Sequence, residues 1–239
     1  MDSNQTEIGE IMAKGATTRK QLLKEPDQFI TFSGKLIAFG RSHIKPILIC
    51  AGAILVLLLT AATVRQVSDR NENRASELVA KAVNKYSAAL QDTDPRTAYD
   101  RVKTDFADIF DGWGSKNAVK IARIVYGDIC YHADDADTAI AMYTRALDDF
   151  GHSPALKNLI RSGLGHAYVL KKDYAQSIRY FEMIAAEKEK TMQSGALFNL
   201  AWLYEATGDK EKSATFYKRL LSDFPDTMYT DLVREQVSG

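Results

Sequence analysis

Apolar and polar positions divide the chain into three regimes. Residues 1–26 are polar, with no sustained apolar period, which predicts a mobile stretch or a weak helix. From Asp27 to Lys45, apolar residues recur at helical spacing: Phe29, Phe32, Leu36 and Phe39, with Ile30 and Ile37 beside them. Ser33, Lys35 and Arg41 fall between these. The pattern predicts an amphipathic segment over 28–42 lying at a membrane interface. The alternative is a plain N-terminal extension of the next helix, and Gly34 and Gly40 weaken a helix in either case. Pro46 to Val64 is then apolar throughout, 19 residues without an acid, base, Asn or Gln.

As a helix that segment rises about 28 Å, close to the ~30 Å hydrocarbon thickness of a bilayer. Arg41 and Lys45 precede it, and Arg65 and Arg70 follow. These flanks favour a spanning helix over a core helix of a soluble protein. A cleaved signal peptide would have a 45-residue leading region and an overlong apolar core, although Thr60-Ala61-Ala62 offers small residues for cleavage. A lipoprotein signal is excluded because Cys50 lies near the start of the apolar run rather than just after it. Lys35, Arg41 and Lys45 on one side nearly balance Arg65, Arg70, Arg74 and Lys81 on the other, so positive charge does not orient the span. Gly52 and Ala53 form a small-residue patch without a GxxxG motif, a weak signal for self-association.

After Val64 the chain turns polar and the helical period resumes, with Leu78, Ala82, Val83, Tyr86 and Leu90 on one face. The spanning helix is therefore expected to run on into the first helix of the tail. Thr93-Asp94-Pro95 marks a break and a capped restart. No strand-like alternation appears, so the tail is read as all-helical.

Internal repeats decide how those helices pack. In Ser194–Thr227, 34 residues, Leu197, Leu200, Ala201 and Tyr204 stand at positions 4, 7, 8 and 11. Gly208-Asp209 stands at 15 and 16, Ser213, Tyr217 and Leu220 at 20, 24 and 27, and Pro225 at 32. Small residues at 8 and 20 let two helices approach, aromatic residues fill the space between them, and Pro225 ends the second helix. Leu164, Gly165, Tyr168, Asp173, Ser177, Phe181 and Ile184 follow the same template upstream, as do Gly127, Asp135, Ala139, Tyr143 and Ala146. These units resemble the tetratricopeptide repeat. The expected fold is all-α, a single transmembrane helix followed by a tetratricopeptide-repeat solenoid. The expected layout is a head over 1–45, a span over 46–64 and a repeat domain over 65–239. Units are placed at about 75–112, 120–153, 158–193 and 194–227, followed by a short capping helix. Ala98 and Val102 fall in the second helix of the degenerate first unit.

Charge narrows the function. The chain carries 31 basic and 31 acidic residues, so nucleic-acid binding is not expected. Two cysteines, Cys50 and Cys130, make no disulfide framework, and Cys130 on a helical face reads as a buried, inert thiol. His43, His132, His152 and His166 form no metal motif. Asp134, Asp135 and Asp137 fail as a calcium loop, because Ala139 and Arg145 occupy the places of its Gly and Glu; helix capping is the better reading. No catalytic or nucleotide motif appears, so no enzyme activity and no cofactor is expected. What remains is the concave face of the array. The template places Asp128, Tyr131 and His132 there, then Ser162 and His166, then Asn199, Trp202 and Glu205. Rings and an amide along a groove suit an extended or helical peptide, with Asn199 able to bond its main chain. Trp113, between two glycines, is a second exposed candidate or a plug between repeats.

A short head, one spanning helix, a polar helix and degenerate repeats over about residues 28–225 resemble the YfgM-like ancillary subunits of the bacterial Sec translocon. The chain departs from them in its longer head. The resemblance implies a single-pass protein of the bacterial inner membrane, with its N-terminus in the cytoplasm and its repeats in the periplasm. It also implies partners among translocon subunits, emerging chains and a membrane-anchored periplasmic chaperone such as the PpiD foldase. Two other readings stay open: a scaffold for division or outer-membrane assembly, and a regulator of a membrane-associated enzyme.

Overall fold

The computed structural model describes residues 28–238, and among these it contains ten α-helices and no strand. The reading of residues 1–26 lies outside the described residues. The chain divides into two compact units, Met1–Gln66 and Val67–Gly239.

In the first unit, helix α1 (Gln28–Ser42) precedes helix α2 (Ile44–Ala89), whose first half is the apolar run. At their junction the Phe39 carbonyl accepts from both the His43 backbone amide and the Ser42 hydroxyl, each at 3.0 Å. Leu36, Ile37 and Phe39 on α1 are exposed. Along α2 an 18-residue window has a mean hydropathy of 2.7 and 0% of it is buried. The helix is long and apolar enough to cross a membrane, and its apolar window is uncovered among the described residues. Thr60 and Thr63 donate at 2.8 Å to the carbonyls of Val56 and Leu59 one turn back, which leaves neither hydroxyl in need of water.

The second unit begins on the same helix. Ala75, Ala82 and Ala89 recur every seven residues on a buried face that also includes Tyr86. A short turn leads to α3 (Pro95–Trp113), where Asp94 Oδ1 accepts from the amides of Arg96 and Thr97 at 3.0 and 3.1 Å. This is the capped restart expected from Asp94-Pro95. Helix α4 (Asn117–His132) has no such local cap, since Lys116 offers no side-chain bond. Glu72 on α2 supplies it instead, accepting from the amides of Asn117 and Ala118 at 3.2 and 2.7 Å.

Three helix pairs follow: α4 with α5 (Ala136–Phe150), α6 (Pro154–Leu170) with α7 (Tyr174–Ala185), and α8 (Gln193–Ala206) with α9 (Lys210–Asp223). Helix α10 (Thr230–Ser238) then packs on α9. Each pair turns in the same way. Asp134, Lys172 and Gly208 hold left-handed φ values of 59°, 65° and 87°. Asp135, Asp173 and Asp209 next to them cap the second helix through the amides of Thr138, Gln176 and Lys212, at 3.1–3.2 Å.

Within and between the pairs the contact is close. A methyl group added at Gly127 on α4 would lie 2.8 Å from the ring of Tyr143 on α5, and one at Gly163 on α6 would lie 2.7 Å from it. Phe181 on α7 presses on Gly165 of α6 at 2.6 Å by the same measure. The buried Ser177 hydroxyl donates to the Gly165 carbonyl at 2.8 Å. Positions 8, 20 and 24 of the repeat are thus one packing unit. The core forms two clusters, one running from Ala75 to Ala167 and one from Phe181 to Val233.

Gly163→Ala and Gly127→Ala are each expected to destabilise the fold by about 1–3 kcal/mol through overpacking against Tyr143. Gly112→Ala, with open space around it, should stabilise by about 0.5–1 kcal/mol. Urea unfolding of the detergent-solubilised chain, followed by helical circular dichroism, checks both signs.

Candidate functional site

The first helices of the pairs carry most of the residues singled out from the repeat template. Two neighbouring clefts open beside them. The first, about 170 Å³, is lined from α4 by Asp128, Tyr131 and His132 and from α6 by Leu159, Ser162 and His166. Tyr143 and Gly163 close it from below, so the packing contact described above is also its wall. The second, about 270 Å³, again has Ser162 and His166 on one side. Asn199 of α8 and the turn Thr227–Tyr229 form the other. Ser162 and His166 therefore belong to both clefts.

Six of the eight template residues come together in this way. Trp202 and Glu205, further along α8, line neither cleft. Trp202 is 40% exposed and meets the ring of Tyr174 edge-on, with centroids 6.4 Å apart. Glu205 is exposed, and its carboxylate lies 3.5 Å from the Tyr217 hydroxyl.

Several of these side chains already have partners. Tyr143 donates its hydroxyl to Asp128, and burial together with that carboxylate pushes the phenol well above its usual range. Tyr131 stands edge-on to His132 at 5.2 Å and is 6.3 Å from His166. The Asn199 amide donates to the Gly195 carbonyl of its own helix at 2.8 Å. That bond takes up one of the donors expected to face a peptide main chain. His166 packs edge-on to Phe181 at 5.2 Å, and burial holds its pKa below the ordinary histidine value of 6.5. A neutral, half-buried imidazole shared by two clefts can donate or accept one hydrogen bond without a charge to desolvate.

Elsewhere the chemistry is structural. Cys130 is fully buried, and burial pushes its thiol up to about 12, so it stays protonated and unreactive. Of the acidic trio, Asp135 caps α5 and also accepts from the Tyr99 hydroxyl at 2.8 Å. Asp137 pairs with Lys171 at 2.6 Å. Among the described residues no group of three His, Cys, Asp or Glu is placed to hold a metal ion. Trp113 is half-buried between α2 and α3, against the core.

The template did not mark Leu159, Gly163, Tyr143 or the turn 227–229 as cleft residues. Tyr143 carries only the pattern of the repeat template, and the SGLGH run of 162–166 is the one signal in the sequence for Gly163. A family model for the tetratricopeptide repeat matches residues 195–227, which span α8 and α9. With its turn and cap recurring twice upstream, the fold is a tetratricopeptide-repeat solenoid. Repeats of this kind are protein-interaction modules. No curated protein matches the chain.

Because the folded pKa of His166 lies below 6.5, the unfolded chain takes up this proton first as pH falls. The stability His166 contributes is present in full above pH 6.5 and is lost as pH falls through its folded pKa. Urea midpoints at pH 7.5 and 5.5 should show that loss, and His166→Gln should reduce the difference between them.

Proposed function

We propose that this protein is a membrane-anchored binding module for other proteins, with residues 46–64 spanning a bilayer and the paired clefts over Ser162 and His166 receiving a peptide segment. The observation that carries this reading is the shared wall of the two clefts. A chain laid across Ser162 and His166 enters both, with the rings of Tyr131 and Tyr229 and the Leu159 side chain offering apolar area along its path. Asn199 keeps its carbonyl oxygen for a main-chain amide. Neutral His166 suits an uncharged backbone.

Support for the span comes from the uncovered apolar helix and from its internally bonded threonines. The exposed Leu36, Ile37 and Phe39 suit a helix lying in the interface before it. The proposed layout is a head over 1–45, a span over 46–64 and a repeat domain beyond it. We place the head in the cytoplasm and the repeats in the periplasm of a bacterial inner membrane. There the module acts as an accessory to the Sec translocon, bringing emerging chains near a membrane-anchored chaperone. Tethering at an exit site raises the effective concentration of a weak groove to the millimolar range.

Site-specific photocrosslinking from Leu159 and Met228 in intact cells tests the groove. Emerging secretory chains or a periplasmic chaperone should appear in the crosslinks, and photocrosslinkers placed along the span should reach translocon subunits. Crosslinks only to division or outer-membrane assembly proteins would overturn the translocon assignment. His166→Ala and Asn199→Ala together should weaken the crosslinks about 10- to 100-fold, as for central interface residues, whereas Trp202→Ala should change them little. Protease added to spheroplasts should digest the repeats; full protection would overturn the periplasmic placement.

A further inference from the structure

A third depression lies between α2 and α3 and shares no residue with either cleft. Leu78, Ala82, Ile109 and Trp113 form its floor, and its volume is about 390 Å³. Lys81 and Lys85 of α2 stand along one rim, and Asp105 and Asp108 of α3 along the other. The two helices run antiparallel here. Lys85 reaches Asp105 at 2.6 Å, and one turn further on Lys81 comes level with Asp108. Among the described residues neither Lys81 nor Asp108 has an ion-pair partner, and both are exposed.

We propose that this groove is the interface of a parallel homodimer. Charge layout selects both the occupant and its direction. A twofold axis along the groove, parallel to α2, exchanges the rims, so each lysine rim faces the aspartate rim of the other copy. Lys81 then meets Asp108 of the other copy, and the contact is made twice. An axis across the groove would set lysine against lysine and aspartate against aspartate, which disfavours the antiparallel dimer. A different partner helix would need one basic and one acidic edge at matching height; a second copy has them by construction. The apolar floor supplies contact area from Leu78 and Trp113 on both sides. Because α2 is one helix from the apolar run to the groove, copies anchored in one membrane present it with the same polarity. That last point rests on the spanning reading proposed above.

Disulfide trapping in the full chain tests the interface. Two differently tagged copies are co-expressed in a Cys50→Ala background, one with Lys81→Cys and one with Asp108→Cys; the buried Cys130 is left in place. Mild oxidation in membranes, and separately in detergent, should link Lys81→Cys to Asp108→Cys about tenfold more than Lys81→Cys to itself. Without the cysteines, Lys81→Glu or Asp108→Lys alone should shift the solubilised chain toward its monomer mass of 26.6 kDa. Both changes in one chain should restore the species of twice that mass. A trapped yield no higher than the self-pair, a double variant that stays monomeric, or a crosslink to a different polypeptide would each overturn the dimer. The detergent arm reads the interface without a bilayer. A chain that forms the crosslink but does not sediment with membranes would overturn the anchor alone.

Discussion

Tyr143 stands between two helices that lack a side chain where it touches them. Gly127 on α4 and Gly163 on α6 leave room for one aromatic ring, which sets the separation of both helices from α5. The same ring closes the bottom of the first cleft, and its hydroxyl holds Asp128 on the rim. Helix packing and the cleft wall are therefore one arrangement. Dense cores transmit even small changes of volume, so a change that moves this ring also moves the cleft wall. Phe181 repeats the device against Gly165, and it in turn supports the face of the site by lying edge-on to His166.

The sequence shows the parts of this scheme that recur and hides those that do not. Gly127, Gly165 and Ala201, with Asp135, Asp173 and Asp209, are legible because each serves one job in successive units. Gly163 serves Tyr143 of the preceding pair, so it stands outside any single unit's pattern. The Glu72 cap joins residues 45 and 46 apart, beyond the reach of local periodicity. Trp202 and Glu205 mark the limit of template reasoning about a groove. A cleft needs a following first helix as its second wall, and α8 is the last of its kind before α10, which packs on α9. The turn 227–229 builds the wall there, on the same side of the second cleft as Asn199.

Charge is a similar case. Equal totals of 31 bases and 31 acids exclude a strong overall field but say nothing of arrangement. Folding sorts lysines and aspartates onto opposite edges of the α2–α3 groove, a local dipole with an apolar centre. Such a surface discriminates by direction and register rather than by bulk attraction.

The long-range cap at α4 also has a consequence in time. Glu72 leaves the ribosome well before Asn117, the residue it caps, 45 positions later. At synthesis rates of about 5–20 residues per second the delay is roughly 2–9 s. During that interval the apolar run of α2 is already complete, while the polar half behind it has no array to dock against. The order of synthesis thus separates commitment of the apolar helix from assembly of the repeats, and α2 is available as the template on which the first pair closes.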